Sequence, residues 1–276
     1  MRAVSLLLFL AVIVVVVVLA VRLLGTRVSI RDVAWIAGTP YSSPAEEDVY
    51  TRYLQRHRRH RLAGGIFGML VALVVGIRYF GSVSIGVGQQ SPLGDLLFCG
   101  LAGVLLGALS AESFRLSDPP STTVSASLEE HPKAAGPSLI RTARGIALAA
   151  IGGGGVIAAT VHDFAALAIA VGGMVVVAIA EATQAAIVGR RRPVLSDRAR
   201  DVDLRMRAFA STSIARLELA AAVLTAAWTF SKVPGSDTGP VALLQLLAVL
   251  GGLVTTVILL RRASPRPPRS WVAAPA

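Results

Sequence analysis

Residues 44–83 read PAEEDVYTRYLQRHRRHRLAGGIFGMLVALVVGIRYFGSV, and the change of character at Leu62 decides the fold class. Up to Arg61 the stretch is densely charged; from Leu62 to residue 83 only Arg78 interrupts an apolar run. A helix rises about 1.5 Å per residue, so about 20 apolar residues cross the ~30 Å hydrocarbon core of a bilayer. Backbone groups in lipid must be satisfied within their own segment, which makes such a run helical. Before it, Ser43-Pro44-Ala45-Glu46 supplies a capping serine, a first-turn proline and the glutamate of a capping box. Val49, Tyr50, Tyr53 and Leu54 then share one face. The pattern predicts an amphipathic helix over 44–61 that runs into the span. Its arginines from Arg52 to Arg61 are expected to meet anionic lipid headgroups, and 44–61 is also the expected docking place for a protein partner.

Outward from this stretch, comparable apolar blocks occupy 3–24, 93–114, 145–161, 164–188, 213–230 and 240–260. Leu, Val, Ala and Gly fill them without the strict alternation of a membrane β-barrel. The whole chain is 54% hydrophobic and 16% charged, too apolar for one soluble domain. The expectation is an all-α, polytopic transmembrane helical bundle of about seven spans. Block 145–161 is the shortest and carries Gly152 to Gly155, but with its neighbour across His162 and Asp163 it is long enough for a helical hairpin.

Arginine sets the orientation, because short basic loops stay cytoplasmic. Of the 27 basic residues, 22 fall in 25–61, 115–144, 189–212 and 261–276, which odd spacing places on one side. Arg2 and Lys232 fall on the other, and Arg22, Arg78 and Arg216 sit near span ends, where long side chains snorkel. The amino terminus is therefore expected outside and the carboxyl terminus in the cytoplasm. The first block could be read as a cleaved signal peptide ending at Val18-Leu19-Ala20. Its apolar run, however, exceeds the usual ~7–15 residues, and more charge follows it than precedes it. It is read as an uncleaved anchor, 1–24. There follow a basic loop with the amphipathic helix (25–61), a hairpin (62–114) and a loop rich in Pro, Ser and Thr (115–144). A second hairpin (145–188), a basic loop (189–212), a third hairpin (213–260) and a disordered basic tail (261–276) complete the chain.

A net charge of +11 invites a nucleic-acid reading, but the charges lie at the ends of apolar blocks rather than on a soluble module. The expected partner is the bilayer and not nucleic acid. Only Lys133 and Lys232 are lysine and asparagine is absent, a bias that points to a GC-rich genome and hence to the plasma membrane of a high-GC bacterium.

Two ridges of small residues, Gly64-Gly68-Ala72-Gly76 and Cys99-Gly103-Gly107-Ala111, predict that the second and third spans pack closely. An echo joins two hairpins. Gly103 and Glu112 have the spacing of Gly172 and Glu181, and Arg58-x-x-Arg61 matches Arg141-x-x-Arg144.

Charged groups within a membrane are the first place to look for chemistry. Glu112 and Glu181 each lie about 27 Å along a helix from Gly94 and Asp163, hence near the cytoplasmic interface. They are the candidate ion or proton site, with Gln184 and Arg216; the plainer reading pairs them with the arginine belt or with Arg216. Glu218 reads as similarly shallow, and Asp95, Asp163 and Arg78 as interfacial at the outer ends. Retinal binding needs a lysine within a helix, and haem between spans needs inward histidines. Lys133, Lys232, His57, His60, His131 and His162 all lie outside the expected lipid core. HExxH, phosphate-loop and GxSxG motifs are absent, and the lone Cys99 excludes disulfides and cysteine metal clusters. Glu46-Glu47 before Arg52 resembles the paired glutamates of membrane CAAX-type proteases, but the spacing is one too long and the segment lies outside the bilayer. No catalytic residue, cofactor or metal is therefore expected. The sequence points to a non-enzymatic accessory or scaffold subunit of a plasma-membrane complex. The alternative is a small-solute or proton-coupled transporter using Glu181 and Glu112.

Overall fold

A computed structural model describes residue 18 and residues 27–39, 43–80, 92–113, 137–162, 164–189, 197–233 and 239–267. Apart from residue 18, the expected first span (3–24) lies outside the described residues, as do 114–136 of the Pro/Ser/Thr-rich loop and the tail beyond 267. Among the described residues the chain is all-helical, with seven helices and no strand. They are α1 (Ile30–Ala37), α2 (Pro44–Phe80), α3 (Pro92–Ser113), α4 (Pro137–Val161), α5 (Ala165–Gly189), α6 (Asp197–Ser231) and α7 (Pro240–Arg262). Five stretches within them are long and apolar enough to cross a membrane: Asp95–Ser113, Pro137–Val161, Ala165–Gly189, Arg200–Ser231 and Ala242–Arg262. The apolar part of α2 begins at Leu62, and its side chains are described as far as residue 74.

Helix α2 starts on the capping box read from the sequence. The Ser43 N–H donates to Glu46 Oε2 at 3.0 Å, and the Glu46 N–H to Ser43 Oγ at 3.4 Å. The short α1 uses the same device one segment earlier, with Ser29 and Asp32 capping each other. Two boundaries differ from the sequence reading. Residues 137–144 and 197–212, assigned to loops by composition, are the first turns of α4 and α6. Pro137 suits a helix start, since its missing N–H is one that a first turn leaves unbonded anyway. In the second segment Asp203 and Arg207 pair one turn apart at 2.6 Å.

Three antiparallel hairpins follow, α2–α3, α4–α5 and α6–α7. Helix α6 is the hub, packed against α1, α3, α4, α5 and α7. Ile214, Leu217, Ala220, Ala221 and Leu224 of α6 are buried in the main core with Leu105, Ala108, Ala147 and Val177. A smaller core joins α1 to the starts of α2 and α6 through Val33, Ile36, Tyr50, Tyr53, Leu54 and Met206. The outer flanks are apolar: Leu243, Leu247, Leu250 and Val254 of α7, Leu148 and Val156 of α4, and Val171 and Val175 of α5 are exposed. Water would tolerate no such continuous surface, and hydrocarbon favours it.

The α2–α3 contact is backbone on backbone. A Cβ added to Gly64 would overlap the Gly103 carbonyl, one on Gly68 the Cys99 carbonyl, and one on Gly107 the His60 carbonyl. Gly103 in turn faces Gly64 and Gly68. Gly76 lies beyond the residues whose surroundings are described. In the α4–α5 hairpin only Gly154 approaches its partner helix, at Ala166 and Leu167, while Gly152, Gly153, Gly155 and Gly172 meet nothing. Its turn runs through His162 in the left-handed region, φ 59°.

Candidate functional site

Nearly all the buried charge lies at one end of the bundle, the basic end that holds α1 and the start of α2. Glu112 stands in the last turn of α3, where the helix dipole disfavours a carboxylate. Two side chains of α2, spaced i, i+4, offset that cost. The Tyr53 hydroxyl donates to Glu112 Oε1 at 2.6 Å, and His57 Nε2 lies 2.8 Å from the same oxygen. All three side chains are sealed from solvent. The reach between helices is short because Gly107 seats α3 against the backbone at His60. One turn on, His60 Nδ1 lies 2.9 Å from Ser110 Oγ.

Beside this triad, two arginines do something the sequence reading did not assign them. Arg58 and Arg61 are 3% and 2% exposed, so they do not reach headgroups. Arg58 pairs with Asp32 of α1 at 3.0 Å and donates to the Arg27 carbonyl and, at 3.1 Å, to the Pro265 carbonyl. Arg61 donates to the Leu260 and Ala263 carbonyls, Ser213 Oγ to Ala263 at 2.8 Å, and Arg216 to Arg262 at 2.7 Å. The last carbonyls of a helix have no partner within it and attract cations. Three arginines and a serine thus clasp the end of α7 and the turn after it. Residues 261–267, expected in a disordered tail, are held there, with Ala263 and Pro265 buried. Burial by itself would raise the Asp32 carboxyl. The Ser29 N–H and hydroxyl together with Arg58 outweigh it and hold Asp32 below its ordinary 3.8.

The second glutamate has other company. Arg144 of α4 grips Glu181 of α5 through two nitrogens, one at 2.9 Å, in a pair open to the surroundings. Gln184 reaches Ser211 Oγ of α6 at 3.4 Å. Glu112 and Glu181 therefore serve separate clusters, and Arg216, turned to α7, joins neither. Glu218 of α6, read as shallow, is fully buried. Neither of its carboxyl oxygens has a hydrogen-bond partner among the described residues, and the charged side chains that act on it are Glu181 and Arg144. Its setting among Ile214, Leu217, Leu219 and Ala220 was the signal available in the sequence.

At the far end Asp95 accepts from Trp228 Nε1 and from Lys232 Nζ, both at 3.0 Å, and Phe98 stacks on Trp228. Between α3, α5 and α6 a cavity of about 430 Å³ opens, walled by Ala102, Gly172, Gly173 and Thr225. No group of three or more His, Cys, Asp or Glu side chains placed to hold a metal occurs among the described residues. Compared with protein-family models, curated proteins and solved structures, the chain matches none.

Proposed function

We propose that this chain is a multi-pass plasma-membrane protein that serves as a non-enzymatic accessory or scaffold subunit. It crosses about seven times, with its amino terminus outside and its carboxyl terminus in the cytoplasm, and its scarce lysine and missing asparagine fit a high-GC bacterial source. One observation carries the scaffold reading. The clasp of Arg58, Arg61, Arg216 and Ser213 ties α2 and α6 to the end of α7 in one basic cluster. Charge spent on internal bonds of this kind builds a base for another protein rather than a path for a solute. The docking face on 44–61 is the exposed side of α2, Val49, Arg52 and Arg59, because Tyr50, Tyr53 and Leu54 face inward. It suits an acidic partner at the headgroup level.

Purification from native membranes tests this. A partner held by the wild-type chain is lost from Arg52→Glu/Arg59→Glu while folding is kept; equal recovery of all bound proteins refutes the docking face. A reporter fused after residue 58 reads cytoplasmic, and an external signal refutes the threading. The buried Glu218 beside Glu181 favours the transporter as the second reading. Solute or proton flux in proteoliposomes that Glu181→Gln abolishes establishes it in place of the first.

A further inference from the structure

Glu218 poses a physical question that the clasp and the Glu112 triad do not. It is fully buried, and both its oxygens lack an N–H partner among the described residues. An ionised carboxylate in that position is among the costliest groups a protein can bury. The charged side chains acting on it are Glu181 from α5 and Arg144 from α4. Those on the remaining elements are engaged elsewhere or face outward. Arg216 reaches the Arg262 carbonyl, Glu112 of α3 takes Tyr53 and His57, and Arg261 and Arg262 of α7 are exposed. Arg144 already makes a two-nitrogen bond to Glu181, so one cation faces two carboxyls. A carboxyl sealed from solvent, with no donor to either oxygen and a second carboxylate acting on it, is far cheaper to bury protonated than ionised.

We propose that Glu218 carries a proton, so that the basic end of α4, α5 and α6 is a proton-binding site. Burial assigns the proton to Glu218, and contact with Arg144 assigns the charge to Glu181. The Glu181–Arg144 pair is half open to the surroundings, which gives protons a route to the buried carboxyl. Loss of the proton leaves two negative charges against one guanidinium and drives α6 away from α5. The site responds to pH through the packing of the hub helix.

Infrared spectroscopy of the full-length protein in lipid nanodiscs tests this by the carbonyl stretch of a protonated carboxyl. Wild type shows such a band at neutral pH, shifted in deuterium oxide and missing from Glu218→Gln. The same band in Glu218→Gln overturns the proposal, as does its absence from wild type. Two milder variants keep the test sharp if Glu218→Gln fails to fold. Glu181→Gln removes a negative neighbour and moves the midpoint for loss of the band to lower pH. Arg144→Gln removes the positive one and moves it to higher pH. An unmoved midpoint in both variants, each folded, also overturns the proposal.

Discussion

The α2–α3 and α4–α5 hairpins are written in similar residues and are held together in opposite ways. Both are rich in glycine and alanine, both carry an Arg-x-x-Arg pair at the start, and both end their second helix near a glutamate. In α2–α3 the glycines face each other and the two backbones touch, and the glutamate is buried under Tyr53 and His57. In α4–α5 most glycines meet nothing, only Gly154 approaches the partner helix of the hairpin while Gly173 faces Thr225 of α6, and the glutamate bonds Arg144 in the open. The lesson is that glycine content does not set closeness of packing. What counts is whether small residues recur on the face that meets a neighbour.

Substitutions at matched positions test that difference. The largest effect belongs to Gly68→Leu or Gly103→Leu, whose side chains must push α2 and α3 apart. Each costs about 3 kcal/mol or more, read as lost thermal stability and folded yield in detergent. Gly172→Leu meets open space and leaves both nearly unchanged. Equal losses at Gly68 and Gly172 would erase the contrast. Next, Glu112→Ala strips the acceptor from the buried Tyr53 hydroxyl and from His57, at about 2–3 kcal/mol. Glu181→Ala opens a pair already exposed and moves the melting temperature little.

Acid separates the hairpins by a smaller amount. Burial, with His57 and Arg56 nearby, pulls His60 below its ordinary 6.5. The folded chain prefers a neutral ring there, so this contribution is complete above 6.5 and drains away as pH falls through that value. His60→Gln is expected to flatten that part of a melting curve recorded against pH. The smallest effect has the opposite sign. Gly152→Ala, on the open face of α4, gains about 0.5–1 kcal/mol from helix propensity, seen as a rise in melting temperature.

Much of the framework could be read from local pattern. The passage from charge to apolar residues at Leu62 shows in the chain itself, as does the capping box at Ser43 and Glu46, and both are needed for the long α2. Local pattern failed where the answer lay on another helix. Arg58 and Arg61 look like headgroup anchors until the unpartnered carbonyls of α7 are seen beside them. Glu218 sits only five residues into its expected span, and depth along one helix cannot tell which neighbours seal it. Helix α1 escaped because eight residues make only two turns, too short a window beside the long apolar blocks, although Ser29-x-x-Asp32 announces its start. Glu181 and Gln184 were legible as polar residues in an apolar helix, and their partners Arg144 and Ser211 were not.

The grip on α7 also imposes an order on biosynthesis. Arg58 and Arg61 leave the ribosome some two hundred residues before the carbonyls that receive them, Pro265 and Leu260. Until α7 is inserted, two guanidinium groups at the lip of the lipid have to be hydrated or lent to phosphates. Nascent chains halted ahead of α7 are thus left with two arginines whose carbonyl acceptors have yet to be made.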